Sequence, residues 1–287
     1  MTVYEKAFAK INISLDVTGK RPDGYHDMVM PMQTLSLCDE LTLRLEGEGI
    51  RARSNLRYVP SDDRNLAVRA AKRYLSEIGK PDQGLQIELR KKIPVGSGMG
   101  GGSADAAAVL RALNRAYGEA LSREQLTALA GEIGSDVAFC LIGGTMLATG
   151  RGEVLSPLPP LPPCRIVIVK PGFSISTPEL FQKLDRGPIR CHPDTDGLIE
   201  AMRQGDLSGV CRRLYNVFED VDDRRMRTIR QIKGSLLDGG ALGAVMTGTG
   251  SAVFGLFADD AAAESCCGRM KKEYGFACTA EAVGELL

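Results

Sequence analysis

Residues 94–105 read Pro-Val-Gly-Ser-Gly-Met-Gly-Gly-Gly-Ser-Ala-Asp, and this stretch decides the interpretation of the chain. Five glycines in seven positions would destabilise any regular element, so the stretch is predicted to be a loop. Alternating apolar residues predict a strand over 85–89 before it, and helical spacing predicts a helix from about Ala104 to Tyr117 after it. Unhindered backbone N–H groups beside the positive end of a helix dipole form an anion site. The loop is therefore predicted to bind phosphate.

Several other loop types fail to fit this stretch. A Walker A loop ends in Gly-Lys-Ser/Thr, whereas Gly102 is followed by Ser103-Ala104. A dinucleotide fingerprint GxGxxG is matched, but the strand before it is amphipathic, carries three basic residues and ends in proline, unlike a central parallel strand. A protein-kinase loop is excluded because neither HRD nor DFG occurs. A flexible linker is disfavoured, since Ser103 is a candidate N-cap and Asp105 would lie in the first helical turn.

The rest of the chain mixes strands and helices without regular alternation. Strict alternation from Ala7 to Val17 predicts a half-buried strand, and helical spacing predicts a helix over 66–78. Five prolines between Ser156 and Cys164 predict a semi-rigid linker. These patterns predict an α+β protein with two domains, over residues 1–156 and 164–287.

Composition excludes several classes of function. Lys plus Arg and Asp plus Glu both number 36 in 287 residues, so no net charge favours nucleic acid or a membrane surface. Eight cysteines without a CxxC pair and only two histidines argue against a structural zinc site. No signal-peptide pattern and no run of 18 apolar residues is present, so a reducing, cytoplasmic setting is expected.

Four segments carry a resemblance to a known family. PVGSGMGGGSADAA at 94–107 resembles the ATP-binding loop of the GHMP kinases, which include galactokinase, homoserine kinase and mevalonate kinase. AFAKINISLDVTGKRPDGYHDM at 7–28, GSDVAFCLIGG at 134–144 and VMTGTGSAVFGLF at 245–257 narrow the resemblance to one branch. That branch phosphorylates the 2-hydroxyl of a methylerythritol that carries cytidine diphosphate, in the non-mevalonate route to isoprenoid precursors. Met99 and Asp27 depart from the usual leucine and glutamate.

The resemblance implies a fold and a set of ligands. The fold would be the two-domain GHMP kinase fold, with an N-terminal ribosomal-protein-S5-like α/β domain and a C-terminal ferredoxin-like α+β domain. ATP would be the phosphate donor and Mg²⁺ is expected, with its ligands unassigned and Ser103 as a candidate. The expected partner is a small molecule with a cytidine diphosphate moiety, and no nucleic acid or membrane. We expect a monomer or a weak homodimer.

Two charged residues are candidates for the reacting centre. Lys10 lies two residues before Asn12, so both side chains project from one face of the predicted strand. From the pattern alone, Lys10 fits a solvated lysine, and Asp136 fits a helix cap as well as a catalyst. The resemblance implies that Asp136 is the general base that takes the acceptor hydroxyl proton, and that Lys10 pairs with it and with the transferred phosphate.

The resemblance also assigns the binding residues. Tyr25 and Phe181 would stack on the two faces of the cytosine while His26 hydrogen-bonds its edge, although Phe181 also fits the apolar face of a helix. The implied ATP-binding residues are Asn65, Leu66, Lys91, Pro94, Gly96, Gly98, Met99, Gly100, Gly101, Gly102, Ser103 and Ala104. The implied substrate-binding residues are Asn12, Tyr25, His26, Thr177, Phe181, Gly248 and Gly250, the last two in a loop that also fits a hairpin turn.

Three rival functions remain at this point. Another GHMP kinase would take homoserine or mevalonate, but an aromatic pocket around Tyr25 and Phe181 suits a base better than a small aliphatic acid. A non-catalytic nucleotide-binding protein would need neither Lys10 nor Asp136. An NAD-dependent oxidoreductase depends only on the weak GxGxxG match.

Overall fold

The structure is a computed structural model that describes residues 1–287. A nine-stranded sheet is built around one 19-residue strand, β3, against which five other strands pair. The strands of this first sheet are β1 Thr2–Asn12, β2 Ser14–Lys20, β3 His26–Arg44, β4 Ile50–Ser54, β5 Leu85–Arg90, β6 Thr145–Gly150, β7 Val154–Pro157, β9 Tyr215–Asn216 and β13 Ala282–Val283.

The strand predicted over 7–17 is present in two parts. Its alternating apolar residues are buried as expected, but the prediction of a half-buried strand is wrong, because the polar residues from Lys10 to Asp16 are buried too. The strand is also interrupted at Ile13. The register with β3 moves by one residue there, since Asn12 faces Met32 and Asp16 faces Val29. This irregularity lies directly beside Asn12, one of the predicted site residues.

Four helices pack beside the first sheet, three of them directly on its strands. They are α1 Leu66–Glu77, α2 Gly101–Ala116, α3 Arg123–Ile133 and α4 Ser135–Ile142. Helix α2 packs against α1, α4 and β1 and is buried along most of its length, because alanine occupies five of its positions from Ala104 to Ala112. The central position of α2 fixes the glycine-rich segment at its N-terminus against the sheet.

A second, four-stranded antiparallel sheet has the order β10–β11–β8–β12. Its strands are β8 Arg165–Lys170, β10 Gly243–Met246, β11 Val253–Phe257 and β12 Phe276–Ala280. The helices of this half are α5 Thr177–Leu184, α6 Thr195–Arg203, α7 Leu207–Cys211, α8 Met226–Asp238 and α9 Asp260–Tyr274, with a 3₁₀ turn at Val217–Asp220. Helices α8 and α9 pack on the sheet, and the predicted α+β class is confirmed.

Later segments of the chain also join the first sheet. Strand β9 pairs in parallel with β2, and β13 pairs with β3. The N–H of Leu286 donates to the carbonyl of Ile142 at 2.7 Å. The two sheets are therefore tied together by several crossings of the chain. No helix has the length and apolar character needed to cross a membrane.

Candidate active site

The glycine-rich loop ends in a helix that begins earlier than predicted. Helix α2 starts at Gly101 rather than Ala104, and Gly100 is its N-cap with a φ of 69°. The prediction that Ser103 caps this helix is therefore wrong: Ser103 lies in the first turn, because glycine adopts the left-handed conformation that turns the chain into the helix. The N–H groups of residues 101–103 have no acceptor within the helix, which is the arrangement that binds phosphate.

A second glycine loop contacts the first. A Cβ atom on Gly98 would lie 2.3 Å from the carbonyl oxygen of Thr247, and Gly98 has a φ of 80°. The second loop is held by Asn216, whose side-chain amide donates to the carbonyl oxygens of Met246 at 2.7 Å and Gly248 at 2.8 Å. Only a residue without a side chain allows the two loops to approach this closely.

We expect Gly98→Ala to destabilise the protein by about 2 kcal/mol or more, because the left-handed conformation alone costs an alanine roughly 1–2 kcal/mol. The clash with Thr247 should also separate the two loops and weaken ATP binding. Chemical denaturation and ATP titration measure the two effects. Gly102→Ala is the control for stability alone, since a Cβ there meets only Leu66 Cδ1 at 3.7 Å. Equal stability of the two variants would contradict the close approach.

Lys10 and Asn12 meet the second loop at the edge of the first sheet. Lys10 is 4 % exposed, and its Nζ donates to Asn12 Oδ1 at 2.8 Å and lies 3.4 Å from Asp136 Oδ2. The N–H of Asn12 donates to Thr247 Oγ1 at 3.0 Å. The solvated-lysine interpretation of Lys10 is therefore wrong, because the ammonium is buried between an amide oxygen and a carboxylate.

Asp136 lies in the first turn of α4 and makes no capping hydrogen bond there. The N-cap of that helix is Gly134. The Asp136 side chain is 31 % exposed and points at Lys10 beside the glycine loop, where the N–H of Lys10 donates to the carbonyl of Met99 at 3.1 Å. The structure thus places Asp136 next to the glycine-rich loop and gives it no capping role.

Lys91 is enclosed beneath the glycine loop by two carboxylates. Its Nζ contacts Asp39 and Asp105 and donates to the carbonyl of Gly101 at 3.3 Å. Burial, together with repulsion from Asp39, raises the pKa of Asp105 to about 7 against the opposing effect of Lys91. The Lys91 side chain is only 4 % exposed. Its contacts with Gly101 and Asp105 hold the start of α2 in place, and the residue also lines the cavity next to the glycine loop.

Two cavities meet at the glycine loop. The first, of about 390 Å³, is lined by Asn65, Leu66, Lys91 and every predicted ATP-binding residue from Pro94 to Ser103, whereas Ala104 is buried behind them. The second, of about 620 Å³, is lined by Lys10, Asp136 and the predicted substrate-binding residues apart from Gly250. Gly250 instead faces Met246 and Ile175 in the interior. Gly98 and Gly100 line both cavities, so a ligand in one can reach a ligand in the other beside Lys10 and Asp136.

Aromatic side chains line the far end of the second cavity. The rings of His26 and Phe181 stack with centroids 4.6 Å apart and an angle of 25°, and Phe218 meets Phe181 edge-on at 4.9 Å. Tyr25 is 58 % exposed, and the Arg151 guanidinium lies 5.1 Å from its ring centre. The structure therefore brings all three predicted aromatic residues to one cavity, with Phe181 packed on His26.

Sequence reasoning missed several residues of the second cavity. Asp185 holds His26 and Lys20, Arg151 lies over Tyr25, and Thr249 shares a 2.8 Å hydrogen bond with Thr177. Asp185 follows Lys20 by 165 residues, so no local pattern connects the two. Arg151 follows Gly150 in a turn, and only the three-dimensional arrangement shows that it faces Tyr25.

Comparison with known proteins identifies the family of this site. The GHMP kinases N terminal domain matches residues 65–144, and the GHMP kinases C terminal domain matches residues 198–275. A 4-diphosphocytidyl-2-C-methyl-D-erythritol kinase of Geobacillus kaustophilus is 45 % identical over 91 % of this chain and 90 % of its own length. The chain belongs to the 4-diphosphocytidyl-2-C-methyl-D-erythritol kinase family of GHMP kinases.

Solved structures of GHMP kinases have the same fold. A crystal structure of a 4-(cytidine 5'-diphospho)-2C-methyl-D-erythritol kinase superposes with a TM-score of 0.81 at 34 % identity, covering 98 % of this chain and 99 % of that one. A homoserine kinase from Cytophaga hutchinsonii gives a TM-score of 0.77 at 25 % identity, covering 99 % and 95 %. The expected two-domain GHMP kinase fold is confirmed.

Proposed function

We propose that this family member transfers the γ-phosphate of ATP to the 2-hydroxyl of 4-diphosphocytidyl-2-C-methyl-D-erythritol, in the non-mevalonate route to isoprenoid precursors. The observation that carries the proposal is the junction of two cavities at Gly98 and Gly100, beside Lys10 and Asp136. One cavity has a phosphate-binding helix start, and the other ends in aromatic rings. That combination suits a nucleotide donor and an acceptor that itself carries a base.

The catalytic step follows from the positions of two side chains. The oxygen of the acceptor hydroxyl attacks the γ-phosphorus of ATP while Asp136 accepts the hydroxyl proton. The bond between the γ-phosphorus and the bridging oxygen breaks, and ADP leaves with that oxygen. Lys10 Nζ, 3.4 Å from Asp136, orients that carboxylate and faces the negative charge of the transferred group. Asn12 holds Lys10 in place through its 2.8 Å hydrogen bond. The N–H groups at the start of α2 bind the phosphates of the donor.

Mg²⁺ is part of this proposal, with a limited protein contribution. The chain has no group of three His, Cys, Asp or Glu side chains that could hold a metal ion. Mg²⁺ at kinase sites keeps several waters and binds phosphate oxygens together with one or two protein ligands. A cluster of three protein ligands is therefore not required. The Ser103 hydroxyl, which lines the ATP cavity, is the side chain that would contribute. Mg²⁺ would neutralise phosphate charge when bound.

A second candidate acceptor is a small acid such as homoserine, because a homoserine kinase has the same fold. The aromatic rings of Tyr25, His26 and Phe181 favour the cytidine acceptor, since stacking on a base contributes roughly 1–3 kcal/mol.

A cytoplasmic setting is also part of the proposal. All eight cysteines are free thiols, which fits a reducing compartment.

Product analysis tests the reaction directly. The protein is incubated with ATP, Mg²⁺ and 4-diphosphocytidyl-2-C-methyl-D-erythritol, and phosphorus–carbon coupling in the NMR spectrum locates the new phosphate. We expect one new phosphomonoester on carbon 2. A phosphate on another hydroxyl would contradict the placement of the acceptor, and hydrolysis of ATP without transfer would contradict the function.

Phe181→Ala is expected to raise the KM for the cytidine acceptor by about 5- to 100-fold, because it removes a stacking surface worth roughly 1–3 kcal/mol. The KM for ATP should change less than twofold, since Phe181 does not line the ATP cavity. Steady-state kinetics with each substrate varied measures both constants. Phe276→Ala, which truncates another half-buried phenylalanine in the second sheet, is the control. Equal increases in both KM values would remove the stacking role.

A further inference from the structure

Asp185 holds the imidazole of His26 from the opposite half of the molecule. We propose that this contact fixes the tautomer of His26 and makes the acceptor cavity select cytosine over uracil. The proposal rests on the proposed function, because it assumes that His26 meets the edge of the base. It adds Asp185 as a positioning residue that sets base specificity without touching the base.

The geometry determines which ring nitrogen carries the proton. Asp185 Oδ1 lies 2.7 Å from His26 Nε2, and Asp185 Oδ2 accepts from Lys20 Nζ at 2.6 Å. Hydrogen bonds from Lys20 and His26 lower the pKa of Asp185, so the side chain is a carboxylate and can only accept. His26 Nε2 must therefore be the donor. In the neutral ring, Nδ1 then carries a lone pair.

The Nδ1 atom is available to a ligand. The His26 ring lines the acceptor cavity, and the protein gives Nδ1 no hydrogen bond. Nδ1 is also not one of the fully buried polar atoms that lack a hydrogen-bond partner. The His26 ring is tilted only 25° from the Phe181 ring. A base that hydrogen-bonds to Nδ1 in the plane of the imidazole consequently lies nearly parallel to Phe181.

The two pyrimidines present opposite groups to this lone pair. Cytosine has an amino group at carbon 4, which donates to Nδ1, whereas uracil has a carbonyl oxygen there, which repels it. An unmade hydrogen bond in a partly buried site reduces affinity by roughly 10- to 100-fold. We therefore expect the protein to bind CDP about 10- to 100-fold more tightly than UDP.

The Asp185→Asn variant tests the positioning role with almost no change of shape. The asparagine amide can donate to Nε2, which releases Nδ1 to carry the proton and to donate to a carbonyl. We expect the CDP preference over UDP, measured by isothermal titration of each nucleotide, to fall at least about tenfold. Lys20→Met is the matched control: it removes the other partner of Asp185 but leaves the His26 contact, so the preference should be retained.

The outcomes separate this inference from the proposed function. If wild type binds CDP tenfold or more tightly than UDP and Asp185→Asn keeps that ratio, the positioning role is wrong while the function stands. If wild type does not bind CDP, the acceptor assignment is wrong, and the selectivity proposal is overturned with it. Equal binding of CDP and UDP by wild type contradicts the selectivity itself.

A spectroscopic test needs no variant at position 185. The chain has only two histidines, and His192 uses Nδ1 to contact Asp16 at 2.8 Å, the opposite pattern to His26. In ¹⁵N NMR of the full chain at a pH where the rings are neutral, His26 should be protonated at Nε2 and His192 at Nδ1. His192→Gln assigns the signals. Protonation of His26 at Nδ1 would overturn the proposal.

Discussion

The Asp136→Asn variant is expected to fold, to bind ATP and to lose about 10²- to 10⁴-fold in kcat, the usual contribution of a general base. Asparagine keeps the shape of the side chain and its position 3.4 Å from Lys10, but it cannot take the hydroxyl proton. The KM for ATP should change little, because Asp136 lines the acceptor cavity and not the ATP cavity.

Single-turnover kinetics with saturating ATP and acceptor isolates this chemical step. The control is Glu132→Gln, which removes an exposed carboxylate from α3, four residues away in sequence. Near-normal turnover of Asp136→Asn would contradict its role as base. Loss of ATP binding in the variant would instead show that Asp136 organises the glycine loop.

Replacement of Lys10 by methionine is expected to lower kcat by about 10²- to 10³-fold, the size seen when one preorganised charge at a reacting centre is removed. Methionine keeps most of the apolar stem, which packs under Gly100: a Cβ there would lie 3.1 Å from Lys10 Cγ. The fold should therefore survive the change. The missing ammonium would leave Asp136 without its partner and the transferred phosphate without a nearby cation.

The matched control is Lys6→Met, because Lys6 lies on the same strand but is exposed. Rapid-quench measurement of ADP formation gives kcat, and thermal unfolding reports the stability of each variant. Wild-type kcat in Lys10→Met would contradict the proposed charge stabilisation. Equal losses of kcat in both variants would point to a general effect of the strand.

The sequence was sufficient for the glycine loop because glycine density and helix periodicity are local properties. The same holds for Lys10 and Asn12, whose spacing on a strand places them on one face, as the structure confirms. The exact start of α2 was missed: Ser103 is a good N-cap residue by propensity, but Gly100 turns the chain into the helix first. Local propensity alone did not resolve that competition.

The contacts across the molecule could not be read from the sequence. Asp185 is 159 residues from His26, and the two meet only because the C-terminal end of α5 contacts the end of β2 and the start of β3. Lys91 contacts Asp39 and Asp105 at separations of 52 and 14 residues, and only the fold encloses its ammonium. The pairing of Lys10 with Asp136 came from family resemblance rather than spacing.

The most direct test of the central claim is an acceptor panel. ADP release from ATP is measured with 4-diphosphocytidyl-2-C-methyl-D-erythritol, homoserine or mevalonate, using wild type and Asp136→Asn side by side. We predict rapid release by wild type with the cytidine acceptor only, and at least about 100-fold slower release by the variant. Turnover with homoserine or mevalonate, or none with the cytidine acceptor, would contradict this account.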